Sequence, residues 1–146
     1  MFATLYETIF NLYNADFYLI FQILLDEGGY NTLGLLLIFL PLIFLILFYF
    51  LWNNPYSKLF YWIIWIIFIA FVVFGSSYAA FNNAIYNSPN QELMDALNDP
   101  QSGYAQFAST LVYKFAAYNS ISSLLLSFIY SIFLKQFSKL HIHLPF

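Results

Sequence analysis

From Leu33 to Leu51 the sequence runs nineteen residues without a charge. That is long enough to cross the roughly 30 Å of hydrocarbon in a bilayer as a helix. Leu59 to Tyr78 is a second such run, and Ser109 to Leu134 is a third with a single charge, Lys114. Runs of this kind fix the solvent before they fix the fold. Only 8% of the 146 residues are charged and 62% are hydrophobic, whereas a water-soluble domain carries about 25% charged residues. A surface so poor in charge suits lipid, and in lipid the backbone satisfies its own polar groups as helix. The expected fold is therefore an all-α integral membrane protein with three transmembrane helices, about 33–52, 59–80 and 108–134. The length allows one membrane domain, 1–146.

The first span contains Pro41, which removes one helical hydrogen bond and is tolerated where neighbouring helices surround it. Trp52 and Tyr56 flank a short turn carrying Lys58, completing a helical hairpin over 33–78. The second span changes character along its length. Bulky Phe60, Trp62, Trp65 and Phe68 give way to Gly75, Ser76, Ser77, Ala79 and Ala80. Gly75 and Ala79, four apart, would share a face and let another helix approach closely.

Residues 1–32 read as an amphipathic segment lying at the membrane interface. Thr4 and Glu7 have capping-box spacing, and Phe2, Leu5, Ile9, Leu12, Phe17, Ile20 and Leu24 recur at helical intervals. Asn14 and Asp16 interrupt the apolar run. Phe17 to Leu25 would reach only about 13 Å as helix, too short to cross. The N-terminus lacks the positive region of a cleavable signal peptide. Between the second and third spans, 79–108 reads as an acidic loop. Ser88 and Pro89, with Gln91 behind them, would open a short helix that stops at Asn98-Asp99-Pro100.

The third span holds the most informative pattern, and its helix is expected to run from near Ser102 to about Phe137, about 50 Å and longer than the bilayer needs. Asn119, Ser123, Ser127 and Ser131 stand four apart, with Ala116 and Ser120 beside them. A four-residue step advances about 400°, so the line stays on one side of the helix. Such a stripe reads as a close seam, either with helices of the same chain or with a partner. It could also line a wet path in an oligomer. Two fates are open to Lys114: its stem snorkels toward the interface, or it pairs with Asp16, Asp26 or Glu27.

The lysines also orient the chain. Lys58, Lys135 and Lys139 fall on one side of a three-span topology and all seven acids on the other. The positive-inside rule then places the N-terminus outside and the 109–146 span's basic tail in the cytoplasm. The expected location is a bacterial cytoplasmic membrane, or alternatively an organellar inner membrane.

Chemistry is sparse. There is no cysteine or arginine, and there are two histidines. His141 and His143 lack a third metal ligand, and Glu92, Asp95 and Asp99 are too thin a set for a calcium loop. No catalytic residue, cofactor site or metal site is expected, and no nucleic-acid partner. The expected partners are the bilayer and other membrane subunits or further copies of the chain. The reading that fits best is a non-catalytic membrane subunit or anchor of a larger assembly, such as a secretion or injection machine or an energy-transducing complex. The alternative is a small homo-oligomeric channel or membrane-permeabilising effector, with the Ser/Asn stripe along its path.

Overall fold

The computed structural model describes residues 2–51 and 59–137, and every element in them is helical. The chain opens with α1 (Phe2–Thr4), which widens into a π-helical turn over Leu5–Ile9. A 3-10 turn (Ala15–Phe17) leads into α2 (Tyr18–Asp26). Then follow α3 (Gly29–Leu51), α4 (Leu59–Tyr86), α5 (Gln91–Asn98) and α6 (Tyr104–Phe137). Three helices, α3, α4 and α6, are long and apolar enough to cross a membrane. They pack against one another in all three pairings.

The first two helices are longer than the spans the sequence suggests. The first begins at Gly29 rather than 33 and the second continues to Tyr86 rather than 80, whereas the third covers Tyr104–Phe137, close to the 102–137 expected of it. The reason is that polar residues near a span end do not stop a helix. Asn82 and Asn83, which look like an exit, are helical, and Asn83 accepts the backbone N–H of Asn87 in the last turn. With 34 residues, α6 is about 51 Å long, well beyond the thickness of the hydrocarbon layer.

The extra length is where the smaller elements attach. One apolar cluster joins α2 (Ile20, Phe21, Leu24) and α5 (Leu93, Leu97) to Phe81 and Ile85 of α4 and to Leu111 and Phe115 of α6. A second cluster lies toward the other end, built from Leu45, Phe48 and Tyr49 of α3 and Trp62, Ile66, Ile69 and Val73 of α4. The spans are therefore joined at both ends by separate cores, with the polar stripe of α6 running between them.

The expected capping at Thr4 and at Ser88 is corrected, whereas residues 1–26 are interrupted near Asn14 and Asp16, where the apolar run breaks. The chain breaks after the π turn, where Asn11 takes a left-handed φ of 50°, and Asn14 caps the restart by accepting the Asp16 N–H. Thr4 makes no capping bond, its own backbone being already helical (φ −58°, ψ −37°), and Glu7 accepts a hydrogen bond from the Tyr30 hydroxyl at 2.5 Å. The loop helix is capped by Asn90, which accepts from the Leu93 N–H at 3.0 Å. Ser88 does not start it. Its hydroxyl donates to Glu27 at the end of α2 at 2.6 Å, tying the loop to the N-terminal layer.

Trp52, Tyr56, Lys58, Lys139, His141 and His143 lie outside the described residues.

Candidate functional site: a buried polar ladder on α6

The stripe on α6 is turned inward. Ala116, Asn119, Ser123, Ser127 and Ser131 are all fully buried, and Ser120 is half-buried. They face α3 and α4 of the same chain. An apolar helix leaves a buried polar side chain few partners, so what each one bonds decides how the helices are held.

Asn119 is the hub. Its Nδ2 donates to the Leu33 carbonyl of α3 at 3.2 Å and to Ser77 Oγ of α4 at 2.9 Å. Its Oδ1 accepts the hydroxyl of Tyr6 at 2.7 Å. One amide thus binds three other parts of the molecule: the N-terminal segment, the first span and the second span. An amide can do this because it carries two N–H donors and an acceptor oxygen on one planar group. Leucine of similar size offers none of them.

Tyr6 reaches the hub through an aromatic pocket. Its ring stacks on Tyr30 with centroids 5.8 Å apart and tilts against Phe115 at 4.8 Å. Burial pushes the Tyr6 phenol up to about 12, with the Asn119 bond acting the other way. The hydroxyl therefore stays protonated and donating throughout the neutral range. Gly34 lets the start of the N-terminal segment lie close on α3. A side chain there would meet the ring of Phe2, which lies directly over it.

Below the hub the ladder continues. Ser120 Oγ donates to the Ala70 carbonyl of α4 at 2.9 Å, and Ser123 Oγ donates to its own helix at the Ser120 carbonyl at 2.7 Å. Ser131 Oγ accepts the indole N–H of Trp62 at 3.0 Å, and the neighbouring Tyr49 hydroxyl has both as hydrogen-bond partners. Ser127 Oγ is buried with no partner among the described residues.

Other residues singled out in the sequence fall elsewhere. Gly75 and Ala79 are exposed, and a Cβ at Gly75 would meet nothing within 4 Å. The inner face of α4 is instead Ile66, Ile69, Val73, Ser77, Phe81 and Ile85. Lys114 is exposed on α6 and makes no ion pair with Asp16, Asp26 or Glu27. Lys135 lies in the last turn of α6. Among the described residues no group of three His, Cys, Asp or Glu side chains is placed to hold a metal ion.

Tyr6, Trp62 and Gly34 belong to the site and were not evident in the sequence. Trp62 carried a usable signal, since an indole N–H in an apolar span needs an acceptor. Tyr6 carried none, because its partner is 113 residues away. Compared with known protein families, with curated proteins and with solved structures, the chain matches none of them.

Proposed function

We propose that this chain is a non-catalytic polytopic subunit, or anchor, of a larger membrane assembly. The observation that carries the reading is the contrast between its inside and its outside. The polar groups within the apolar helices are engaged almost entirely by the chain itself. The exterior of the helices is large and apolar, with Phe60, Phe71, Ile121 and Phe133 among its most exposed side chains. Such a surface offers neighbours shape rather than reactive groups, and in lipid shape is what drives helix association. The exposed pair Gly75 and Ala79 supplies a low place on α4 where a helix of another subunit comes close to the backbone. The candidate assemblies remain a secretion or injection machine or an energy-transducing complex. The proposed setting is a bacterial cytoplasmic membrane with the N-terminus outside and the C-terminus in the cytoplasm, or an organellar inner membrane with the same internal arrangement.

The channel alternative draws less support, because the stripe that would line its path is turned onto α3 and α4. The experiment that tests the subunit reading is purification in mild detergent followed by mass spectrometry of what co-purifies. Discrete membrane proteins at fixed ratio are expected, and Gly75→Leu should release them while leaving the chain folded. A homomeric ring that makes liposomes leak ions would overturn the proposal in favour of a channel.

A further inference from the structure

An apolar groove of about 650 Å³ opens between the N-terminal segment, α3 and α6. Leu5, Ile9 and Phe10 form one wall, Leu37 the second, and Leu125 and Leu126 the third. Phe10 lies flat on Tyr118, with ring centroids 4.7 Å apart and planes within 9°, so the groove follows the Tyr118 face of α6. Ser122, one turn further along, also lines it.

Lys114 belongs to that same face. Lys114, Tyr118, Ser122 and Leu125 are spaced four, four and three residues apart and fall within about 80° around the helix. Lys114 is exposed and has no acid partner among the described residues. Two acids of the N-terminal layer are engaged elsewhere, Glu7 by Tyr30 and Glu27 by Ser88. A cation with no acid partner among the described residues thus stands at one end of a strip whose other end is a largely apolar groove. From Lys114 to Leu125 the helix rises about 16 Å, a distance that matches a headgroup at the interface and a chain reaching well into one leaflet.

We propose that the groove holds one acyl chain of a glycerophospholipid whose phosphate rests on Lys114. This rests on the reading of α3, α4 and α6 as membrane spans, and not on the identity of any partner subunit. The charge decides the occupant. A neighbouring protein helix would fill the groove equally well, but would leave the lysine without an anion at the membrane boundary. A phospholipid satisfies both ends with one molecule, and a lysine near an interface attracts lipid phosphate strongly enough to matter.

The test is native mass spectrometry of the full chain in a neutral detergent, titrated with dioleoylphosphatidylglycerol or with dioleoylglycerol, which has the same chains and no phosphate. One phosphatidylglycerol per chain should be retained in preference to dioleoylglycerol. Lys114→Gln should lower its occupancy about fivefold, the worth of one lysine at a phosphate surface, and leave dioleoylglycerol unchanged. Lys135→Gln, at the far end of α6, should change neither. Leu125 is 67% exposed, so Leu125→Trp should fold, fill the groove and reduce retention of both lipids. Equal retention of the two lipids overturns the proposal, as does an equal loss on Lys135→Gln. Dimers that carry no lipid would overturn it too, assigning the groove to a second copy. Each of these results is independent of whether other subunits co-purify.

Discussion

At the scale of single residues, the molecule separates side chains that look alike in the sequence. Asn119 and Ser127 are both buried polar residues on one stripe. Asn119 makes three bonds to three separate segments, whereas Ser127 has no partner for its hydroxyl among the described residues. Interhelical hydrogen bonds in membrane proteins average about 0.6 kcal/mol each. Asn119→Ala should therefore destabilise the bundle by about 2 kcal/mol, and more if the Tyr6 hydroxyl is left buried and unbonded. Ser127→Ala should fall within about 0.5 kcal/mol of wild type or be more stable, since it removes an unsatisfied group. Denaturation in mixed micelles, followed by circular dichroism, measures both. Equal losses would mean that the stripe acts through its size alone. The stripe itself was legible, because serine and asparagine are conspicuous in an apolar helix. Which member mattered was not, because a bond's partners lie on other elements.

At the scale of elements, the two small-residue positions exchange roles. Gly75 with Ala79 has the spacing of a packing seam, yet both face outward. Gly34, which has no small neighbour four residues away to mark it, is the glycine that another part of the chain covers. Spacing tells which residues share a face, but the face that turns inward is set by the whole apolar surface of the helix. On α4 the large residues Ile66, Ile69, Val73 and Phe81 win that contest. Gly34→Leu should push Phe2 and the N-terminal segment off α3, seen as rapid hydrogen exchange and protease cleavage ahead of α2. Gly75→Leu should leave both unchanged. The break between the π turn and α2 was only partly legible: Asn14 and Asp16 marked a weak point, but Asn11, with its left-handed backbone, sets where the chain turns.

At the scale of the whole molecule, three apolar helices were plain from hydropathy, since length without charge leaves few other solutions. The end of α4 was not, because that helix continues past its most apolar residues to help build a core with α2, α5 and α6. That core puts the acidic residues of the N-terminal layer and of the loop together at one end of the bundle. The absence of cysteine makes the proposed orientation simple to check. A single cysteine at Glu92→Cys should react with a membrane-impermeant maleimide on intact cells, whereas Gln136→Cys should react only after permeabilisation. The reverse pattern would invert the orientation, and labelling of both from outside would rule out three crossings.

The bond between Tyr6 and Asn119 also has a consequence in time. Tyr6 precedes all three long helices in the chain, and Asn119 lies in the last of them, 113 residues later. A ribosome delivers Tyr6 to the membrane long before its partner exists. Closing so long a loop waits on the segments between. The N-terminal segment must therefore stay undocked while α3 and α4 insert, with its aromatic rings available to lipid or to an insertion factor. It can seat only when α6 arrives and turns Asn119 inward. The order of synthesis and the order of closure are opposite, so a segment made before all three long helices serves as the final latch on the assembled bundle.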